Sequence, residues 1–345
     1  MTSSSGAFGD AAAEYTGDSL RSLYDVLLLD LDGTVYRGAD AVPGAREALT
    51  AGDRLFYVTN NASRRPSEVA RHLRDLGFPA DDASVVTSSQ SAARLLAEQV
   101  PSGSPVLVVG TDALAEEVAR VGLNPVRTAD ADPVAVVQGH SPETGWPMLA
   151  EATLAIRAGA WWVATNIDST LPTERGLVLG NGSMVAAVRH ATGAEPVVAG
   201  KPAAPLLEDA IRRGAAQRPL VIGDRLDTDI EGANAVGADS LLVLTGVSTV
   251  DDLLRAPVEQ RPTYVGASLG CLDAPASQVR VMPAEGWSVR LEDGDLHLES
   301  TGVVGDAMEV LRGLLDVAWS NPGFGRLRPV DEHARTVLAE WGIAS

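Results

Sequence analysis

The run Val26-Leu27-Leu28-Leu29 is apolar without a break, and it delivers two carboxylates, Asp30 and Asp32, into a Gly33-Thr34 turn. A strand with one wet face alternates polar and apolar residues. An unbroken run reads instead as a strand buried on both faces, as in a parallel sheet covered by helices. Such a sheet leaves its strand ends for polar chemistry. Two acids one residue apart at such an end repel each other and resist desolvation unless a cation or a proton sits between them. The stretch therefore points to an α/β fold whose strand end carries either an ionic site or, since a D-x-D before a turn is common there, a solvated loop.

The pattern recurs along the chain. A second apolar strand, Leu55-Phe56-Tyr57-Val58, ends on Thr59-Asn60-Asn61. Residues 43–51 read as a short helix, and Pro66 opens another with Val69, Leu73 and Leu76 on one face and Gly77 as its stop. From about residue 87 strands at 106–109, 134–137 and 161–164 alternate with helices at 113–121, 149–158 and 184–191, enough for a small inserted domain. Residues 167–182 read as a loop carrying Asp168, Glu174 and Arg175. The chain then runs through Val197-Val198-Ala199 into Gly200-Lys201-Pro202, and through Leu220-Val221-Ile222 into Gly223-Asp224, with Asp229 at the far side of a short loop.

Beyond residue 270 the character changes. Residues 287–298 alternate around Glu292-Asp293-Gly294-Asp295, a hairpin signature. Helices follow over 308–319 and 332–341, the first with a stripe of Leu311, Leu314, Leu315 and Trp319 that is expected to pack on the chain's own core. The domain reading is a loose, disordered tail at 1–19, a core from 20–86 and 197–272, an inserted α/β domain at 87–196, and a C-terminal extension at 273–345.

Composition narrows the function. A net charge of −19 argues against nucleic acid, whose binding is dominated by phosphate neutralisation. A small anionic substrate would need a metal or locally placed cations. Of the 27 basic residues, Lys201 is the single lysine, which draws attention to a compact ammonium at a strand end. The one cysteine, Cys271, rules out an intramolecular disulfide and fits the cytoplasm. No apolar run is long enough to span a bilayer, and the N-terminal residues lack the basic-then-apolar order of a signal peptide.

Four strands thus end in Asp30/Asp32, Thr59/Asn60, Lys201 and Asp224/Asp229. In open parallel sheets ligands bind outside the carboxyl ends of the strands. Three acids brought together there need a cation, and an all-oxygen donor set favours Mg²⁺. Metal, Lys, Thr and backbone N–H groups make a phosphate cradle, and an aspartate can serve as nucleophile toward phosphorus.

Asp30-Leu31-Asp32-Gly33-Thr34, Thr59-Asn60-Asn61, Gly200-Lys201-Pro202 and Gly223-Asp224-x-x-x-x-Asp229 together resemble the four ordered motifs of the haloacid dehalogenase superfamily. The match is to its NagD/p-nitrophenylphosphatase-like branch, which includes phosphoglycolate and glycerol-3-phosphate phosphatases. The resemblance runs from about residue 23 to 272 and implies a Rossmann-like core with a parallel sheet and an inserted α/β cap of C2 type, to which this chain adds a small α+β extension. It also implies roles. Asp30 attacks phosphorus and binds Mg²⁺. Asp32 serves as acid and then base, with its carbonyl on the metal. Thr59, Asn60, Asn61 and Lys201 hold the phosphate, and Asp224 completes the metal site with Asp229 behind it. In the cap, Asn166, Asp168 and Arg175 are candidates for reading the substrate, with turn formation as the alternative for the first two. His140 stands where the branch tends to carry an aromatic, which leaves its role open.

The implied reaction is Mg²⁺-dependent hydrolysis of a small phosphorylated metabolite, glycerol 3-phosphate or 2-phosphoglycolate, through an aspartyl-phosphate. The rivals are a sugar-phosphate or nucleotide phosphatase or a phosphomutase of the same superfamily and, from another class, a phospho-accepting receiver or binding module. Homo-oligomerisation through the cap or the extension is left open.

Overall fold

A computed structural model describes residues 17–50, 52–173, 175–282, 286–302 and 306–343; most of the expected tail at 1–19 lies outside them. The chain forms two compact units, Met1–Leu55 with Ala216–Ser345, and Phe56–Ala215.

In the first unit the apolar runs form parallel strands in the order Tyr264–Gly266, Asp239–Val243, Pro219–Gly223 and Val26–Leu29. Leu28, Leu29, Ile222, Leu241 and Leu242 have no exposed surface, as strands covered on both faces require. Register does the positioning. Leu29 pairs with Ile222, and the Asp30 N–H donates to the Ile222 carbonyl at 2.8 Å. Asp30 therefore leaves the sheet beside the strand that delivers Asp224.

The extension adds three strands to this unit. Trp287–Glu292 and Asp295–Ser300 form the expected hairpin, turning at Asp293-Gly294, where both residues have positive φ (50° and 84°). A third strand, Leu327–Pro329, runs parallel to Asp295–Ser300 and carries no sequence signal, since three residues cannot show alternation. Helices Ala307–Ser320 and Glu332–Glu340 cover the hairpin. Leu311, Leu314 and Leu315, all fully buried, share one apolar core with Ile230, Leu253, Leu254 and Val265. The Trp319 indole N–H donates to the Leu253 carbonyl at 2.9 Å. The stripe does pack on the chain's own core.

In the second unit Leu55–Thr59 pairs in parallel with Val85–Thr87. A separate parallel sheet runs in the order Val197–Val198, Trp161–Ala164, Ala135–Gln138, Pro105–Val109, Asn124–Val126. Helices Ser88–Gln99 and Asp112–Arg120 bury Ala92, Leu96, Leu114 and Val118 against one face. Helices Trp146–Arg157 and Asn181–Thr192 bury Ala152, Ile156, Val185 and Val188 against the other.

Residues 167–182 are not one loop. They contain a hairpin, Thr170–Thr173 against Gly176–Leu179, and the first turn of the helix Asn181–Thr192. A strand whose four residues are all exposed leaves no burial pattern to read, and Pro172 in its partner argues against a strand. The helix read at 43–51 is shorter, Ala45–Ala48. No helix among the described residues is long and apolar enough to cross a membrane.

Candidate active site

Asp30, Asp224 and Asp229 come together in the first unit, each offering a carboxylate oxygen within 4.8 Å of the other two. Asp224 is fully buried and Asp229 nearly so, while Asp30 is half-buried. The Asp224 carboxylate accepts from the Val247 N–H at 2.7 Å and from the Thr34 hydroxyl at 3.3 Å. Asp229 accepts from the Arg225 N–H at 3.1 Å. It is held by a wide helical turn, Leu226–Ile230, in which the N–H groups of Asp229 and Ile230 both reach back to the Arg225 carbonyl.

Close backbone approach makes room for these acids. Gly33 has φ +94°, and a side-chain carbon there would lie 2.5 Å from Asp224 Oδ2. At Gly246 the same addition would overlap that carboxylate outright. Three carboxylates at this spacing, two of them out of water, repel one another strongly. A hard divalent cation with oxygen ligands is the partner this donor set fits, since neither His nor Cys belongs to it.

Asp32 sits in the turn beyond Asp30, exposed, with its backbone bridged to Tyr36. It is thus the more exposed acid of the pair, Asp30 being half-buried. Asp227 pairs with the Arg225 guanidinium at 2.7 Å on the surface of the loop, a turn contact.

The second unit gathers the other motif residues. Thr59, 4 % exposed, ends its strand, and its hydroxyl oxygen accepts the Asn61 N–H at 3.1 Å, which leaves the hydroxyl proton to be donated elsewhere. The Asn61 carboxamide oxygen is taken up by the N–H groups of Ser63 and Arg64, so this side chain builds the turn. Lys201 is 2 % exposed and its ammonium donates to the Val58 carbonyl at 3.1 Å. Asn60 brackets the Lys201 backbone: its Oδ1 accepts the Lys201 N–H at 2.8 Å and its Nδ2 donates to the Lys201 carbonyl at 2.9 Å.

Two of the cap candidates reach the same place. Asn166 donates from Nδ2 to the Asn60 carbonyl at 2.7 Å, and the Asp168 carboxylate accepts from Asn60 Nδ2 at 3.3 Å. Arg175 does not join them. It lies at the tip of the exposed hairpin, its N–H bonded to Thr173. His140 lines an open cavity of about 860 Å³ with Thr170, Leu171, Leu177 and Met184, and burial holds its pKa below the usual value. In the second unit Ser88 donates its hydroxyl to the Asn60 carbonyl at 2.6 Å and Asn181 its amide to the Asn166 carbonyl at 2.8 Å, yet their sequence contexts do not mark them for chemistry. Thr34, bonded to Asp224 in the first unit, lies inside the first motif, whereas Asn181 shows only as part of a glycosylation-like triplet.

Residues 27–124 match the haloacid dehalogenase-like hydrolase family and residues 198–272 the related HAD-like hydrolase family. Residues 284–343 match a GCN5-related N-acetyltransferase like domain. The chain is 49 % identical over 338 residues to the D-glycerol 3-phosphate phosphatase of Mycobacterium tuberculosis, covering 94 % of this chain and 96 % of that one. It is 36 % identical over 247 residues to the acid sugar phosphatase of Staphylococcus aureus, covering 70 % and 93 %. Among solved structures, the glycerol phosphate phosphatase of M. tuberculosis in complex with magnesium superposes with a TM-score of 0.92 at 51 % identity, covering 95 % of this chain and 99 % of that one. A double mutant of the thermostable NPPase of Geobacillus stearothermophilus gives 0.64 at 32 % identity, covering 71 % and 96 %.

Proposed function

The chain belongs to the haloacid dehalogenase-like hydrolases, and on that premise we propose that it removes the phosphoryl group from glycerol 3-phosphate. It is a phosphatase of small phosphorylated substrates. The observation that carries the reading is the packing of Asp30 and Asp224, at the ends of two paired parallel strands, with Asp229 of the following helical turn, their oxygens within 4.8 Å of one another. Asp30, the Asp32 carbonyl and Asp224 would hold Mg²⁺, with Asp229 orienting what surrounds it. Bound there, the ion neutralises charge on the phosphate and eases the approach of an anionic nucleophile.

Asp30 attacks phosphorus as the bond to the glycerol oxygen breaks, giving an aspartyl-phosphate. Asp32, the exposed acid of the pair, gives its proton to the departing oxygen. It then takes a proton from the water that attacks the acyl phosphate, which releases inorganic phosphate and restores Asp30. The Thr59 hydroxyl and the Asn60 N–H steady the phosphoryl oxygens, Asn61 holds the turn that aims the Thr59 hydroxyl, and Lys201 adds positive charge. Asn166 and Asp168, bonded to Asn60, carry the cap's contribution. We assign the activity to the cytoplasm on the single Cys271; self-association through the cap or the extension is read out by sedimentation of the same preparation.

Phosphate release by the full chain, with Mg²⁺ and with chelator, tests the reading over glycerol 3-phosphate, 2-phosphoglycolate, a hexose phosphate and a nucleoside monophosphate. We expect the highest kcat/KM for glycerol 3-phosphate, loss of turnover in chelator, and a fall of about a thousandfold or more in Asp30→Asn. Preference for the hexose phosphate would favour the sugar-phosphatase reading that the S. aureus likeness supports. Full activity in Asp30→Asn would remove the nucleophile assignment, and a single turnover with retained phosphate would point to a receiver.

A further inference from the structure

Three asparagines in the Phe56–Ala215 unit are linked in series, the side-chain Nδ2 of each donating to the main-chain carbonyl of the next residue in the series. Asn181 is 2 % exposed in the first turn of its helix. Its Nδ2 donates to the Asn166 carbonyl at 2.8 Å and to the Gln138 carbonyl at 3.3 Å, tying the ends of two cap strands together. Asn166, 5 % exposed, passes the chain on from its own Nδ2 to the Asn60 carbonyl. Asn60 then grips the Lys201 backbone on both its N–H and its carbonyl.

The packing around Asn181 leaves little slack. The Gly180 N–H donates to the Ser169 carbonyl at 3.0 Å and the Gly182 N–H to the Asp168 carbonyl at 2.8 Å. A side-chain carbon at Gly182 would overlap the Ile167 carbonyl. Residues 180–182 therefore clasp the segment that carries Asn166 and Asp168, and the Asn181 carboxamide sits at the centre of the clasp. The Gln138 carbonyl also accepts the Thr165 N–H at 2.8 Å, so the costly loss on removing this buried amide falls on the Asn166 carbonyl, whose donor it is.

We propose that Asn181 is a positioning residue for Lys201: it fixes Asn166, Asn166 fixes Asn60, and Asn60 fixes the backbone from which Lys201 extends. The inference rests on the reading that Lys201 acts on the substrate phosphate. Its own content is that a residue in the cap helix, touching neither substrate nor lysine, sets the efficiency of that contact. Displacement of a reacting group by a fraction of an ångström to an ångström is enough to cost up to about a hundredfold in rate.

The test compares steady-state phosphate release from glycerol 3-phosphate, with Mg²⁺, by the full chain and by Asn181→Ala, Asn166→Ala and the double variant, alongside thermal midpoints. We expect Asn181→Ala to lower kcat about tenfold to a hundredfold. The double variant should be no slower than the slower single one, because both changes cut one path. Asn181→Ser, which restores one donor, should recover part of the lost kcat. Wild-type kcat in Asn181→Ala overturns the proposal, and so do losses that multiply in the double variant. If Asn181→Ala does not fold, Asn166→Ala and Asn181→Ser make the same cycle: non-multiplying losses support the proposal, and wild-type kcat or multiplying losses overturn it. Lys201→Met keeps the two readings apart: full turnover there removes the role of Lys201, whereas a dead Lys201→Met beside a normal Asn181→Ala removes the present inference alone.

Discussion

Asp224→Asn should make the protein more resistant to unfolding in chelator while abolishing its response to Mg²⁺. The Asp224 carboxylate lies within 4.8 Å of oxygens on Asp30 and Asp229. At that distance and an effective dielectric of about 20, each like-charge pair costs about 3.5 kcal/mol. Neutralising Asp224 relieves two such pairs. The substitution keeps the shape that the glycines at 33 and 246 are fitted to, and its carboxamide oxygen can still accept from the Val247 N–H. Thr34 can turn its hydroxyl from donor to acceptor. Solvent around the half-exposed Asp30 and the backbone donors already on Asp224 offset much of the repulsion, which leaves a net gain of about 2–4 kcal/mol. That corresponds to a rise on the order of 3–6 °C in the thermal midpoint of a chain of this length.

The assay is calorimetric or fluorescence-monitored unfolding over a Mg²⁺ titration. The wild type should start low in chelator and climb with the logarithm of Mg²⁺ concentration, as a ligand of the folded state requires. Asp224→Asn should start higher and stay flat. A lower midpoint than wild type in chelator, or a retained climb with Mg²⁺, would refute the view that these acids form a cation site under mutual strain.

Leu314→Ala truncates a fully buried side chain in the core shared by the extension and the strands. It should cost about 2–5 kcal/mol of stability, read from chemical denaturation. For His140, burial depresses the pKa below its ordinary 6.5. As pH falls through that value the unfolded chain takes the proton first, so acidification from pH 7.5 toward 5.5 erodes stability. His140→Gln should lose less over the same interval, and an unchanged slope in denaturant midpoints would dismiss burial as the cause.

The candidate motifs are legible in the sequence because each sits where an apolar run stops, and for Asp30 and Asp224 burial on both faces writes that run in unbroken Val, Leu and Ile. Asp30 and Asp224 become neighbours once both runs are assigned to one parallel sheet. The acids carry their own signal, since charge at the end of a buried strand is costly unless a cation or proton compensates it. The Asn60 bracket and the Asn181 clasp carry none of this. A carboxamide is neutral and common in turns, and its role here is defined by carbonyls far away in sequence. The exposed hairpin at 170–179 is hidden for the opposite reason: its residues face solvent, so no periodicity marks them. His140 has no legible role in the sequence, and the cavity it lines is shared with residues of that same hairpin.

The apolar core that joins the extension to the catalytic strands has an evolutionary consequence. Leu226 and Ile230, which flank the acid Asp229, lie in that core together with Leu311 and Leu314 of the extension. Loss of the extension would therefore bare a greasy face directly behind the turn that holds Asp229, and several positions would have to change to polar residues at once. Each of those changes made singly, with the extension still in place, would bury an unsatisfied polar group. The extension is thus easy to keep and hard to lose: a path to a chain ending near residue 272 would cross a valley of unstable intermediates.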